Sequence, residues 1–151
     1  MAAKTEILDA MADQIREALA GADWDFQVEP RLVLSPTTPS IDLYPGGSTT
    51  EQDVAGMGDA VNDIGEGYIV NVRARIAPND HEAGQEVLLV LSDPEDDLCL
   101  VQALYDDATL GGIVYDLHLL SESAFTVFTD IDPSKAYLGI LWRFLVVPAH
   151  S

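Results

Sequence analysis

The chain has 151 residues, with 26 Asp and Glu against 7 Lys and Arg, giving a formal net charge of −19 with its three His neutral. A nucleic-acid binder needs a patch of cations to release counterions from phosphate, and so few scattered basic residues supply none. The same balance repels the chain from an anionic membrane. Yet hydrophobic residues make up 48% of the sequence, too many for a disordered acidic chain. One domain spanning 1–151 is expected, and it buries roughly 70% of the surface its unfolded chain exposes. The one cysteine, Cys99, excludes an intrachain disulfide. It sits in the run Leu98-Cys99-Leu100-Val101 among acidic neighbours, the setting of a buried structural thiol and of a reducing compartment.

Residues 5–20 read as an amphipathic helix, with Ile7, Leu8, Met11, Ile15 and Leu19 at three- and four-residue spacing, Thr5 as cap and Gly21 as end. Charges among these positions make residues 1–20 neither a signal peptide nor a membrane span. Pro30, Pro36, Pro39 and Pro45 then punctuate three short segments, Phe26–Val28, Arg31–Leu34 and Ser40–Tyr44, which read as edge strands or extended connections. Residues 45–67 hold more than half of the glycines with no stable periodicity, and read as a long flexible loop. Next, Tyr68–Ile76 alternates as a half-buried strand, with Tyr68, Val70, Val72, Ala74 and Ile76 on one face and Ile69, Asn71, Arg73 and Arg75 on the other.

Asn79 with Glu82 resembles a capping box opening a helix through Val87, Leu88 and Leu91. Ser92-Asp93-Pro94-Glu95 restarts a helix carrying Leu98, Val101, Leu104 and Tyr105 as its apolar stripe. Three strands close the chain, Ile113–Leu120, Ala124–Phe128 and Tyr137–Val147, expected to pair as an antiparallel meander. The order predicts an α+β fold, a mostly antiparallel sheet with helices on one face.

Chemistry is sparse. Asp116 and His118 share a strand face with Ser121 just beyond, so an acid–base–hydroxyl set can be written, but no nucleophile turn or oxyanion motif accompanies it. His81 and His150 lack ligand spacing. The carboxylates Asp93, Glu95, Asp96 and Asp97, and the pair Asp130 and Asp132, lack the glycine of a calcium loop. Gly65-Glu66-Gly67 precedes a strand instead of opening a helix, so it is no phosphate cradle. No catalytic, cofactor or metal site is expected, and the chain does not read as an enzyme.

The last strand is unusual. Leu138, Ile140, Trp142, Phe144 and Val146 face one way; Tyr137, Leu141, Leu145 and Val147 face the other, interrupted by Gly139 and Arg143. Such a strand is central under two layers or part of a subunit interface. Arg73, Arg75 and Arg143 on strand faces pair with acids either across subunits or within one chain on a solvated face.

Several segments in order resemble the tail terminator (tail-completion) proteins of long-tailed phages, particularly those of actinobacteria. They are the N-terminal helix, Pro39-Ser40-Ile41-Asp42-Leu43-Tyr44-Pro45-Gly46, Val70-Asn71-Val72-Arg73-Ala74-Arg75 and Asp80-His81-Glu82-Ala83-Gly84-Gln85. To these add Leu104-Tyr105-Asp106-Asp107-Ala108-Thr109-Leu110-Gly111-Gly112-Ile113-Val114 and Tyr137-Leu138-Gly139. The resemblance implies a virion protein, assembled in host cytoplasm, that forms a ring, expected to be hexameric, on the head-proximal end of the tail tube. There it stops tube polymerisation and meets the head-closure or connector protein, while DNA passes through without specific binding. A glycine-rich 45–67 segment departs from small family members. The alternatives are a head-closure, neck or minor tail protein, an acidic binding or inhibitor module, and a small enzyme around Asp116 and His118.

Overall fold

The computed structural model describes residues 3–34, 36–48, 67–77, 81–129 and 136–148. In chain order these form helix α1 (Lys4–Leu19), strands β1 (Gln27–Glu29), β2 (Ser40–Ser48) and β3 (Tyr68–Ile76), and helices α2 (His81–Ser92) and α3 (Leu100–Tyr105). Strands β4 (Val114–Glu122), β5 (Thr126–Phe128) and β6 (Tyr137–Pro148) follow. The strands make one sheet in the order β1-β2-β3-β6-β4, with β5 also on β6. All pairings are antiparallel except β1 with β2. This is the α+β architecture read from the sequence.

Ile7, Met11 and Ile15 of α1, Leu88 and Leu91 of α2, and Leu100 and Leu104 of α3 pack with Ile41, Leu43, Val70, Val72, Ile140, Trp142, Phe144 and Val146 in one core. Burying these side chains is the main favourable term in folding, roughly 1.5–3 kcal/mol for each large one. Gln14 ties two helices together: its Nε2 donates to the carbonyls of Ala103 and Leu104, 2.9 Å each, at the end of α3 where the backbone lacks intrahelical partners. Ile69, Leu145 and Val147 point away from the helices and are also buried. Strand β3 is therefore buried on both faces, not half-buried, and β6 is a central strand.

Local expectations fail in identifiable ways. Helix α1 starts at Lys4 after Ala3 with no side-chain cap, so Thr5 lies inside it, and it ends at Leu19 with Ala20 as cap. Residues 31–34 form no strand, and β2 lies between β1 and β3 instead of at an edge. Its ladder carries a register shift between Pro45 and Ser48, which removes 45–48 from the expected loop; residues 49–66 lie outside those described. The expected cap of α2 at Asn79 also lies outside them. The third helix begins at Leu100, not at Ser92. Asp93 accepts the Glu95 N–H at 2.9 Å and Asp96 the Leu98 N–H at 2.9 Å, so these acids bind their own backbone as turns instead of starting a helix.

The three last strands do not form a meander. Strands β4 and β5 both pair with β6, along successive stretches of it. Ser123 explains why the chain fails to turn back. Its N–H donates to Leu141 O and its hydroxyl accepts the Leu141 N–H, both at 2.9 Å, carrying the ladder across the break.

Between α3 and β4 the backbone is left-handed at Leu110, Gly111 and Gly112, with φ of 51°, 75° and 94°. Asp107 holds this turn: its carboxylate accepts the Thr109 hydroxyl at 2.6 Å, the Gly111 N–H at 2.8 Å and the Thr109 N–H at 3.1 Å. These bonds, the hydroxyl's first, hold the Asp107 carboxyl below its ordinary pKa. A depressed carboxylate contributes stability above its unfolded pKa and loses it as pH falls through the folded value. Melting temperatures of wild type and Asp107→Ala should therefore differ most above about pH 5 and approach each other at lower pH; a constant gap down to acid pH would overturn this.

Candidate functional site

Alternation places Asp42 of β2 opposite Arg73 of β3, and Ser40 opposite Arg75, on the face away from the helices. The Asp42 carboxylate is fully buried. Arg73 holds it in a two-point grip, Nε to Oδ1 at 3.1 Å and Nη2 to Oδ2 at 2.8 Å. Arg75 Nη2 reaches Oδ2 at 3.2 Å and Val33 O at 2.7 Å, and the Val33 N–H donates to Oδ2 at 3.1 Å. Tyr44 and Phe128 rings lie 5.3 and 5.2 Å from the Arg73 guanidinium, and Tyr137 lies 5.4 Å from that of Arg75.

The cluster thus draws on β2, β3, β5, β6 and the 31–34 segment. Arg73 and Arg75 pair within the chain, and the pairing is buried instead of solvated. Four donors occupy the Asp42 carboxylate, leaving it poorly suited to act as a base or a metal ligand. Its chemistry is that of a pin between segments distant in sequence. Arg143 sits on the same face, opposite Asn71 and Ser121.

Asp116 and His118 do meet, Oδ2 to Nε2 at 3.1 Å, with about a third of each side chain exposed. Asp116 Oδ1 also accepts the Leu117 N–H at 2.9 Å. A register shift between Leu119 and Ser121 brings Ser121 opposite Arg143; the structure joins acid to imidazole but gives Ser121 no hydrogen bond to His118 among the described residues. No group of three or more His, Cys, Asp or Glu among them could hold a metal ion. Cys99 is buried. Asp130, Asp132, Gly65, Glu66 and His150 lie outside the described residues.

The surface feature the sequence did not single out is the outer edge of the sheet. Strand β4 ends the strand order and β5 continues its line, with no further strand beside them among the described residues. Along this edge Tyr115, Phe125 and Val127 are 61%, 39% and 54% exposed. Tyr105 Oη accepts the Leu119 N–H at 2.8 Å, blunting the edge at one point.

Among the described residues no helix is long and apolar enough to cross a membrane. No protein-family model matches this chain, and no curated protein matches it in sequence.

Proposed function

We propose that the protein is a structural subunit of a long-tailed phage virion, a tail terminator that assembles as a ring on the head-proximal end of the tail tube and joins it to the head connector. The reading draws on the sequence resemblance. The observation that carries it is the β4–β5 edge, which no further strand covers among the described residues and where exposed Tyr115, Phe125 and Val127 offer a neighbouring subunit apolar contact beside a strand ladder. The opposite face of β6 is buried within one chain, so its apolar residues are not needed for assembly. An acidic ring also suits passage of DNA, since negative walls repel phosphate instead of holding it.

Light scattering and negative-stain imaging with purified tail tubes test the proposal. Wild type should form rings or cap tube ends. Phe125→Asp with Val127→Lys should abolish both while changing stability by less than about 0.5 kcal/mol, as exposed positions do. A chain that stays monomeric and never binds tubes, or a variant that assembles as wild type does, would overturn it.

A further inference from the structure

Side chains close the sheet at both of its ends. At the β1 end the Gln27 N–H donates to Pro39 O and so faces β2, which turns the Val28 carbonyl outward. Arg16 of α1 donates to that carbonyl from Nε and Nη2. At the β4 end Leu117 and Leu119, two residues apart, present their N–H groups on the same side, away from β6. Both are taken: Tyr105 Oη accepts the Leu119 N–H at 2.8 Å and Asp116 Oδ1 accepts the Leu117 N–H at 2.9 Å.

The two caps on β4 reach its edge from opposite faces of the sheet. Tyr105 comes from α3, and its ring stands edge-on to that of Phe144, 6.4 Å away, a fully buried residue directly opposite Leu119. Asp116 lies opposite Val147 on the face away from the helices, and its Oδ2 is held by His118 Nε2 at 3.1 Å. An edge strand that offers its N–H groups is a template for another strand. Occupying them from both faces removes that template.

A second copy of β4 is the strand this edge fits. Two copies placed antiparallel about a two-fold axis, with Leu117 opposite Leu117 of the second copy, set Asp116 of each opposite His118 of the other, carboxylate against imidazole on both sides of the axis. That ladder draws on the Leu117 and Leu119 N–H groups that the caps hold. It is isologous and closes at two subunits, so it competes with any larger ring. We propose that Tyr105 and Asp116 are edge caps that keep β4 from pairing with β4 of a second copy. The caps act on every unassembled copy, and the inference therefore goes beyond the ring reading instead of resting on it.

Tyr105→Phe tests this, because it keeps the ring against Phe144 and removes only the acceptor of the Leu119 N–H. The substitution is made in the full chain carrying Phe125→Asp and Val127→Lys, so that the result does not depend on whether rings form. Sedimentation is followed across concentration at high salt, which screens the −19 charge of each copy. Tyr105→Phe should lower the concentration at which a dimer forms about tenfold, and exchange of the Leu117 and Leu119 amides should slow as it forms. Tyr115→Phe, which removes a hydroxyl from an exposed ring on the same strand, should change dimer formation by less than about twofold. Adding His118→Asp sets like charges opposite one another and should return the Tyr105→Phe chain to the level of its parent. Unchanged association, a gain no larger than that of Tyr115→Phe, assemblies larger than a dimer, or a gain that survives His118→Asp would overturn the inference.

Discussion

Replacing Asp42 by Ala should cost about 3–5 kcal/mol of stability, because it removes one partner of a buried charge cluster and leaves two guanidinium groups out of water without their carboxylate. Asp42 and Arg75 are 0% exposed and Arg73 is 3% exposed, so solvent cannot take over the lost bonds. Domains are stable by about 5–15 kcal/mol in all, and for a chain of this size the loss lowers the melting point by about 10 °C. Urea unfolding followed by circular dichroism measures it. The exposed pairs set the contrast. Arg16–Asp13 and Arg31–Glu29 each keep one partner largely in solvent, and breaking either should cost under about 1 kcal/mol and less still in salt. Asp42→Leu combined with Arg73→Met and Arg75→Met should recover part of the loss, since apolar side chains of similar volume need no partner. A cost for Asp42→Ala no larger than that of the exposed pairs would mean that the cluster contributes little.

That cluster was half legible. The alternation of Asn71, Arg73 and Arg75 opposite Val70, Val72 and Ala74 assigns the arginines to one face, and the structure keeps this assignment. Asp42 sits in an alternating segment of its own, but its partnership with Arg73 depends on the register of β2 against β3 across residues 49–66. Local periodicity carries no information on which strands pair or where. The parallel placement of β1 beside β2 escaped for the same reason. The β4–β5 break escaped for a different one. Ser121-Glu122-Ser123 has the composition of a turn, yet Ser123 spends its N–H and hydroxyl on Leu141 and keeps the chain straight. Ser92-Asp93-Pro94-Glu95 has the composition of a helix start, yet the short side chains of Asp93 and Asp96 capture nearby N–H groups and compete with the helix.

Gly139→Ala should be the most damaging single methyl addition in the sheet. A Cβ at that position would lie 2.0 Å from the Ala74 carbonyl oxygen, 3.0 Å from Phe128 Cε2 and 3.1 Å from the Ala74 carbonyl carbon. The main obstacle is backbone in β3, opposite Gly139 in the central β3–β6 ladder, so no rotamer change relieves it. Either the two strands separate, losing ladder bonds worth about 1 kcal/mol each, or β6 shifts in a core whose overpacking costs typically about 1–3 kcal/mol. The combined loss should be about 3 kcal/mol. It should also reach the polar cluster, because Phe128, one of the atoms' owners displaced, lies 5.2 Å from the Arg73 guanidinium. Gly21→Ala supplies the control: nothing lies within 4 Å of its Cβ, and a methyl there should be neutral or stabilising by a few tenths of a kcal/mol, by narrowing the unfolded chain. Parallel melts of the two variants test the ranking, and amide shifts at Arg73 and Phe128 in Gly139→Ala test the coupling. If Gly139→Ala melts with wild type, the close approach of β6 to β3 at this position is not a determinant of the sheet.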